Sequence, residues 1–334
     1  MSIGGVAVQI AGSCKEEVIL DSEHAPFRIE TGHSDINIGI KWFKELAVAS
    51  HRMLFDSGTT WRLYQCEDRF QFDFGDPITH GRPYKRLLID GEFRRAELQM
   101  SFAYFAASSH PADPLGYPLD ELLIMHRLTQ EKAIELHGCG IVTEDGVGNL
   151  FVGHSGAGKS TTTRLWTASQ DVEVLSDDRI IVRLDEETPS VQMPRGACGG
   201  SAEQQVLRLR DCSASRNSRF AQDDRACGIG KEASSPMRMY GTPWHGEAMF
   251  ASPASAPLTR IMVLEHGHNN VLTRLSPSQA VAELFARSFV PMHRQEYVES
   301  ALAFLEQLAE SLPSYRYSFE PDQRAVDTIL NLHD

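Results

Sequence analysis

The 334-residue sequence lacks any apolar run that approaches the length needed to cross a membrane. Its N-terminus, Met1-Ser2-Ile3-Gly4-Gly5-Val6, also lacks the basic start and apolar stretch of a secretory signal. With 42% hydrophobic and 23% charged residues, the composition is that of an ordinary soluble protein. We therefore expect a cytoplasmic protein with no membrane partner.

Basic charge and paired cysteines are also scarce. The formal net charge is −13, whereas a general nucleic-acid-binding protein needs a basic face to neutralise phosphates. The six cysteines show no C-x-x-C spacing, which argues against a zinc site built on a cysteine pair. We therefore expect no nucleic-acid partner and mostly buried, reduced thiols.

Hydrophobic periodicity divides the chain into two parts. Residues 61–65 and 70–74 alternate apolar and polar side chains around a short polar connection, which predicts a β-hairpin with three Phe side chains facing a core. Helical spacing begins at Leu119 and continues to Leu128. We therefore predict a β-rich N-terminal domain over residues 1–116 and an α/β domain over residues 117–334.

Regular patterning stops between residues 186 and 236 and returns afterwards. The interrupted stretch is rich in Gly, Ser and Arg, and predicts an irregular insertion. It is either a flap that engages an acidic substrate or phosphates, or an insertion with no role in the chemistry. Further on, Ser276 and Gln279 match a capping box, which predicts a helix over residues 280–289.

The most informative segment is Gly153-His154-Ser155-Gly156-Ala157-Gly158-Lys159-Ser160, which matches the phosphate-binding loop (Walker A, P-loop) pattern G-x-x-x-x-G-K-[ST]. An apolar strand precedes the loop and a helix follows it, as the mechanism requires. Consecutive N–H groups and the helix dipole then bind phosphates, Lys159 reaches the terminal phosphates, and the Ser160 hydroxyl ligates Mg²⁺. The predicted nucleotide-binding residues are Gly153, His154, Ser155, Gly156, Ala157, Gly158, Lys159, Ser160 and Thr161. The predicted ligands are ATP, or another NTP, and Mg²⁺.

Two adjacent carboxylates, Asp177 and Asp178, end an apolar run 17 residues after Ser160. Phosphoryl transfer needs carboxylates to hold the metal and to orient or deprotonate an acceptor. Because adjacent residues point in different directions, one Asp can approach Mg²⁺ while the other faces the acceptor hydroxyl. An ordinary turn is the alternative interpretation of this pair.

Three further side chains are candidates. His137 lies on the strand before the one that enters the loop, where it either approaches the γ-phosphate or acts as a hydrogen-bonded core histidine. In Gly241-Thr242-Pro243-Trp244-His245-Gly246-Glu247, His245 is a candidate substrate contact and Glu247 a candidate carboxylate at or behind the metal. A tight turn anchored by Trp244 is the alternative interpretation of that segment.

Taken together, His137-Gly138, the loop and Ser176-Asp177-Asp178-Arg179 resemble the HPr kinase/phosphorylase-like P-loop kinases of the phosphoenolpyruvate-carboxykinase-like superfamily. The segment from Gly241 to Glu247 is similar to the group that includes kinases of a serine in lasso-peptide precursors. The resemblance covers roughly residues 117–330. The Arg-Gly-Leu-Gly-Ile stretch that accompanies true HPr kinase/phosphorylases is absent, which argues against HPr as the substrate and against a reverse phosphorylase activity.

The resemblance implies a P-loop kinase domain of the HPr kinase/PEP carboxykinase-like type, and with it the residue roles. Asp177 would be the catalytic base, Asp178 and Ser160 would hold Mg²⁺, and Lys159 and His137 would act at the transferred phosphate. Arg179 would neutralise charge or tether the Asp pair. We thus expect a kinase that phosphorylates a hydroxyl, with a serine of a peptide or protein as its partner. The alternatives are an NTP-binding or NTP-hydrolysing regulatory protein without an acceptor, and a small-molecule kinase; a homo-oligomer is compatible with the sequence.

Overall fold

The computed structural model describes residues 1–12, 20–30, 32–76, 81–108, 112–185 and 236–332. The insertion predicted at about residues 186–236 lies outside the described residues, except for residue 236. Met1–Leu184 and Ser235–Asp334 belong to one compact unit. The described chain is mixed α/β and contains two sheets, which confirms the α/β class.

The N-terminal sheet has eight strands in the order β1-β2-β3-β8-β7-β6-β5-β4. These strands are β1 (Ser2–Ile3), β2 (Val6–Gly12), β3 (Ile36–Phe43), β4 (Arg52–Asp56), β5 (Trp61–Cys66), β6 (Arg69–Phe74), β7 (Lys85–Asp90) and β8 (Arg95–Ser101). The predicted hairpin is confirmed as β5 and β6, which pair antiparallel. Phe70, Phe72 and Phe74 are all buried, so the residues at spacing two form part of the core as expected.

The helix predicted from the spacing at Leu119 is confirmed as α2 (Leu119–Leu128), which follows α1 (Phe102–Ala107). Its apolar side chains, including Leu122 and Leu123, are buried in the same cluster as the N-terminal sheet. This helix therefore packs on the first sheet, although it lies after residue 116 in the sequence. The domain boundary at residue 116 stays a prediction.

The second sheet has ten strands, with the path β14-β13-β12-β9-β10-β15-β18-β16 and with β11 and β17 also paired to β9. They are β9 (Ala133–Thr143), β10 (Gly148–Val152), β11 (Val172–Ser176), β12 (Arg179–Leu184), β13 (Met237–Tyr240), β14 (Ser255–Pro257), β15 (Arg260–His266), β16 (Val271–Arg274), β17 (Ser288–Phe289) and β18 (Ser314–Phe319). The accompanying helices are α3 (Lys159–Ser169), α4 (Pro277–Phe285), α5 (Gln295–Ser311) and α6 (Gln323–Leu330).

Side chains of β10 are buried on both faces of this sheet, because successive residues of a strand point to opposite faces. Leu150 and Val152 share a cluster with side chains of α4 and α5, whereas Phe151 shares another with Trp166 of α3 and Ile329 of α6. Because β10 is apolar on both faces, it is a buried central strand. The loop that leaves its end is thus attached to a rigid support.

The capping box at the start of α4 is confirmed, since the Ser276 and Gln279 side chains each bond the other residue's backbone. The predicted extent of this helix was wrong at its far end. Helix α4 stops at Phe285, and Ser288–Phe289 instead form β17, which pairs with Glu135 and Leu136 of β9. Pairing with another strand overrides local helical periodicity here. Among the helices that the structure describes, none is long and apolar enough to span a membrane.

Candidate functional site

Strand β9 brings the three sequence motifs together. The carbonyl of His137 accepts a hydrogen bond from the N–H of Gly153 at 3.2 Å, on the side of β10. On the opposite side, the N–H of Gly138 donates to the carbonyl of Asp178 at 3.0 Å. His137 therefore lies between the start of the loop and the Asp pair, although Gly153 and Asp177 follow it by 16 and 40 residues along the chain.

The loop itself turns sharply between β10 and α3. The N–H of Ala157 donates to the carbonyl of His154 at 3.0 Å, and Gly156 and Gly158 have φ values of +80° and +105°. Helix α3 then begins at Lys159, with Gly158 as an N-cap that has no side chain to bond the helix. The first N–H groups of an α-helix have no partner within the helix, so those at the start of α3 are available to bond an anion.

Gly158 and Gly156 provide a matched test of this backbone geometry. A Cβ on Gly158 would lie 2.6 Å from Cζ of the buried Phe319 ring, whereas a Cβ on Gly156 would meet no described atom within 4 Å. We expect Gly158→Ala to lower the free energy of unfolding by about 2–4 kcal/mol, from backbone strain plus overpacking. Gly156→Ala should cost about 1 kcal/mol, from backbone strain alone. Urea unfolding measures both, and equal losses would contradict the structure of this turn.

Lys159 is buried inside the loop, with 6% of its side chain exposed. Its Nζ donates to the carbonyls of Gly153 at 3.1 Å and His154 at 3.3 Å, and lies 3.8 Å from Oδ1 of Asp178. Burial lowers the pKa of Lys159, although the negative charge of Asp178 opposes that shift. The loop therefore holds the ammonium group of Lys159 beside the carboxylate of Asp178.

Asp178 is held from two sides. Its Oδ1 lies 2.9 Å from Nε2 of His137, and its Oδ2 accepts a hydrogen bond from Arg179. Burial by itself raises the pKa of Asp178, but the hydrogen bond with His137 and the charge of Arg179 outweigh it and leave the pKa below its ordinary value. With 26% of its side chain exposed, Asp178 is an ionised carboxylate beside the loop.

Asp177 points the opposite way and has no exposed surface. Its carboxylate accepts backbone hydrogen bonds from Gly246 at 2.9 Å, Ala248 at 2.8 Å and Phe250 at 3.2 Å. These contacts tie residues 246–250 to the end of β11. The two carboxylates thus diverge as predicted, but the one beside Lys159 and His137 is Asp178.

Arg179 connects this site to helix α2. Its Nε lies 3.0 Å from Oε1 of Glu121 and 3.5 Å from Oε1 of Glu135, and its guanidinium carbon lies 4.1 Å from the centre of the Phe289 ring. Sequence reasoning missed both glutamates. The signal for Glu135 was a charged residue inside an apolar strand, two positions before His137.

The two remaining candidates, His245 and Glu247, lie on either side of Gly246. His245 contacts Oε1 of Glu23 at 3.2 Å, and Glu247 is exposed. Gly246 between them lies against the Asp pair, since a Cβ there would be 3.0 Å from Oδ2 of Asp177. A residue that was not predicted, His266 at the end of β15, contacts the carbonyl of Gly156 in the loop at 2.6 Å.

The residues present fit a nucleotide phosphate and Mg²⁺. The loop offers backbone N–H donors and one buried ammonium group, while Ser160 and Asp178 offer the hard oxygen ligands that Mg²⁺ prefers. Within the described ranges, no group of three or more His, Cys, Asp or Glu side chains is arranged to hold a metal ion. This is compatible with Mg²⁺, which is usually held by one or two carboxylates together with substrate phosphates.

No protein-family model matches this sequence, and no curated protein matches it.

Proposed function

We propose that this protein is an ATP- (or other NTP-) and Mg²⁺-dependent kinase that transfers the γ-phosphate to a hydroxyl group, with a serine of a peptide or protein as the acceptor. One observation carries this proposal: Lys159 of the loop and His137 of β9 both lie within 4 Å of the Oδ1 atom of Asp178. A phosphate-binding loop next to an ionised carboxylate supplies two parts that phosphoryl transfer uses, a cradle for the phosphates and a group that can take the acceptor proton.

Each residue has a role in this proposal. The N–H groups of the loop and Lys159 hold the phosphates and offset the charge that spreads over their oxygens. Mg²⁺ would supply further charge neutralisation when bound, and in this proposal its protein ligand is the Ser160 hydroxyl, because an Asp178 carboxylate bound to the metal could not also accept the proton of the acceptor. His137 and Arg179 orient the Asp178 carboxylate from two sides.

We assign the role of general base to Asp178 in place of Asp177. A general base must come within hydrogen-bonding reach of the proton that it removes. Asp178 is partly exposed beside Lys159, whereas Asp177 is enclosed and engaged by three backbone N–H groups. The hydroxyl proton of the acceptor passes to Asp178 as the hydroxyl oxygen bonds to phosphorus and the bond to the leaving phosphate oxygen breaks.

The proposal is tested by incubating the protein with Mg²⁺ and γ-labelled ATP in the presence of a library of serine-containing peptides. Transfer of label to peptide supports the kinase. Release of free phosphate with no labelled peptide supports an NTP-hydrolysing regulatory protein instead. A matched incubation with small polyols distinguishes a small-molecule kinase.

Nucleotide binding can be measured independently of an acceptor. At a concentration of Mg·ATP about 100 times its dissociation constant, we expect the free energy of unfolding to rise by about 2.7 kcal/mol. Thermal unfolding followed by circular dichroism measures this change. AMP with Mg²⁺ at the same concentration is the matched control, because AMP lacks the β- and γ-phosphates, and equal stabilisation by both nucleotides would contradict recognition of these phosphates by the loop.

A further inference from the structure

Three carboxylates surround the single guanidinium group of Arg179. Asp178 contacts it from the site, Glu121 contacts its Nε from helix α2 at 3.0 Å, and Glu135 of β9 lies 3.5 Å from the same atom. If all three carboxylates were ionised, three negative charges would face two positive charges in a largely buried cluster, those of Arg179 and of Lys159, which lies 3.8 Å from Asp178. Such an excess of buried charge is expensive unless one group is neutral.

Glu135 is the group for which ionisation would cost most. It is 1% exposed, and neither of its side-chain oxygens accepts a hydrogen bond from any donor that the structure describes. At this position β9 pairs with β12 on one side and with β17 on the other, so backbone covers both sides of Glu135. A proton would turn one of these oxygens into a donor, and the Glu121 carboxylate, which flanks the same Nε atom of Arg179, is the neighbouring acceptor.

Electrostatics agree with this geometry. Burial, followed by the negative charge of Glu121, raises the pKa of Glu135 well above its ordinary value. Asp120 acts in the same direction from helix α2, whereas the positive charge of Arg179 on β12 opposes it. The charged groups that face Glu135 therefore favour its neutral form.

We propose that Glu135 is kept as an uncharged carboxylic acid that donates a hydrogen bond to Glu121, and that this carboxyl pair positions Arg179 against Asp178. Glu121 accepts the hydrogen bond of Nε of Arg179, which leaves the other end of the guanidinium group for Asp178. The connection to catalysis rests on the proposed kinase function. The protonation state of Glu135 is independent of that function.

The pH dependence of stability tests the protonation state through Glu135→Gln. The unfolded chain releases the proton of a glutamate at about pH 4.3, whereas the folded chain keeps it up to the raised pKa. Stability of the wild-type protein therefore falls as pH rises through this window, and its unfolding equilibrium constant grows by up to about tenfold per pH unit relative to E135Q. E135Q has no proton to release. Urea unfolding from pH 5 to pH 8 measures the ratio of the two unfolding equilibrium constants, wild type to E135Q. A ratio that does not change with pH overturns the proposal.

A measurement on the wild-type protein covers the case in which E135Q does not fold. With ¹³C-labelled glutamate side chains, one carboxyl signal should stay at the protonated position at pH 6, where exposed glutamates have already titrated. Glu121→Gln removes the neighbouring negative charge, so this signal should titrate at a lower pH in E121Q. A complete set of glutamate signals that all titrate near their ordinary pKa overturns the proposal.

The positioning of Arg179 has its own readout. The Nε–H signal of Arg179 in a ¹⁵N spectrum should shift more in E121Q than in E135Q, because Glu121 accepts that hydrogen bond and Glu135 acts through Glu121. In the phosphoryl-transfer assay, E121Q should lower kcat by about tenfold or more with the KM for ATP unchanged. Equal shifts of the Arg179 signal in both variants would contradict the arrangement. Absence of transfer by the wild-type protein would reject the kinase and leave the carboxyl titration as an independent result.

Discussion

Replacement of Asp178 by Asn is expected to lower the rate of phosphoryl transfer by about a thousandfold, within the range of 10²- to 10⁴-fold that general base catalysis contributes. Asn is nearly the same size and still accepts a hydrogen bond, but it cannot take the proton of the acceptor hydroxyl. The measurement is the initial rate of transfer from Mg·ATP to the acceptor. Stabilisation by Mg·ATP should persist in D178N, because the loop N–H groups and Lys159 still hold the phosphates.

Asp177→Asn is the matched control for this prediction. An Asn amide offers one carbonyl oxygen and turns an NH₂ group towards the N–H donors of residues 246–250, so at least one buried N–H group loses its acceptor. We expect a loss of about 2–3 kcal/mol in the free energy of unfolding. Transfer by the folded fraction should fall less than in D178N. If D177N abolished transfer at unchanged stability, the base would be Asp177, as the family resemblance implies.

The second large effect is expected from Lys159→Met. The Met side chain keeps the apolar stem but removes the ammonium group that faces Asp178 and the loop carbonyls. Loss of one preorganised donor to a developing negative charge typically costs 10²- to 10³-fold, so we expect kcat to fall by about that factor. The steady-state rate with saturating Mg·ATP measures it.

Lys41→Met is the matched control for the loop lysine. Lys41 pairs with Glu97 on the exposed surface of the first sheet, with 62% of its side chain exposed. Exposed ion pairs contribute little to stability, so transfer and stability should stay close to those of the wild-type protein. Comparable losses of activity in K41M and K159M would remove Lys159 from the phosphate site.

Local patterns in the sequence were sufficient for several elements. The alternation around Phe70, Phe72 and Phe74 predicted a strand with a buried face, and the Ser276–Gln279 pair predicted the start of α4. Both signals depend on residues that are close in the chain, where side-chain periodicity and capping bonds act directly. The end of α4 was not predictable in this way, because Ser288 and Phe289 are extended only through their pairing with β9.

For the candidate site, the sequence by itself located the loop from Gly153 to Ser160 and predicted its phosphate-binding role, since its glycines, Lys159 and Ser160 are contiguous and match the pattern by their spacing. It also placed a carboxylate pair at the end of a strand. Only the tertiary structure decided which carboxylate faces the loop, because adjacent side chains diverge and the surrounding backbone selects between them. Backbone N–H groups of residues 246–250 enclose Asp177, while His137 and Arg179 hold Asp178. The sequence was equally unable to predict the burial of Glu135 beside Glu121 and Arg179. These residues lie on β9, α2 and β12, which meet only in the fold.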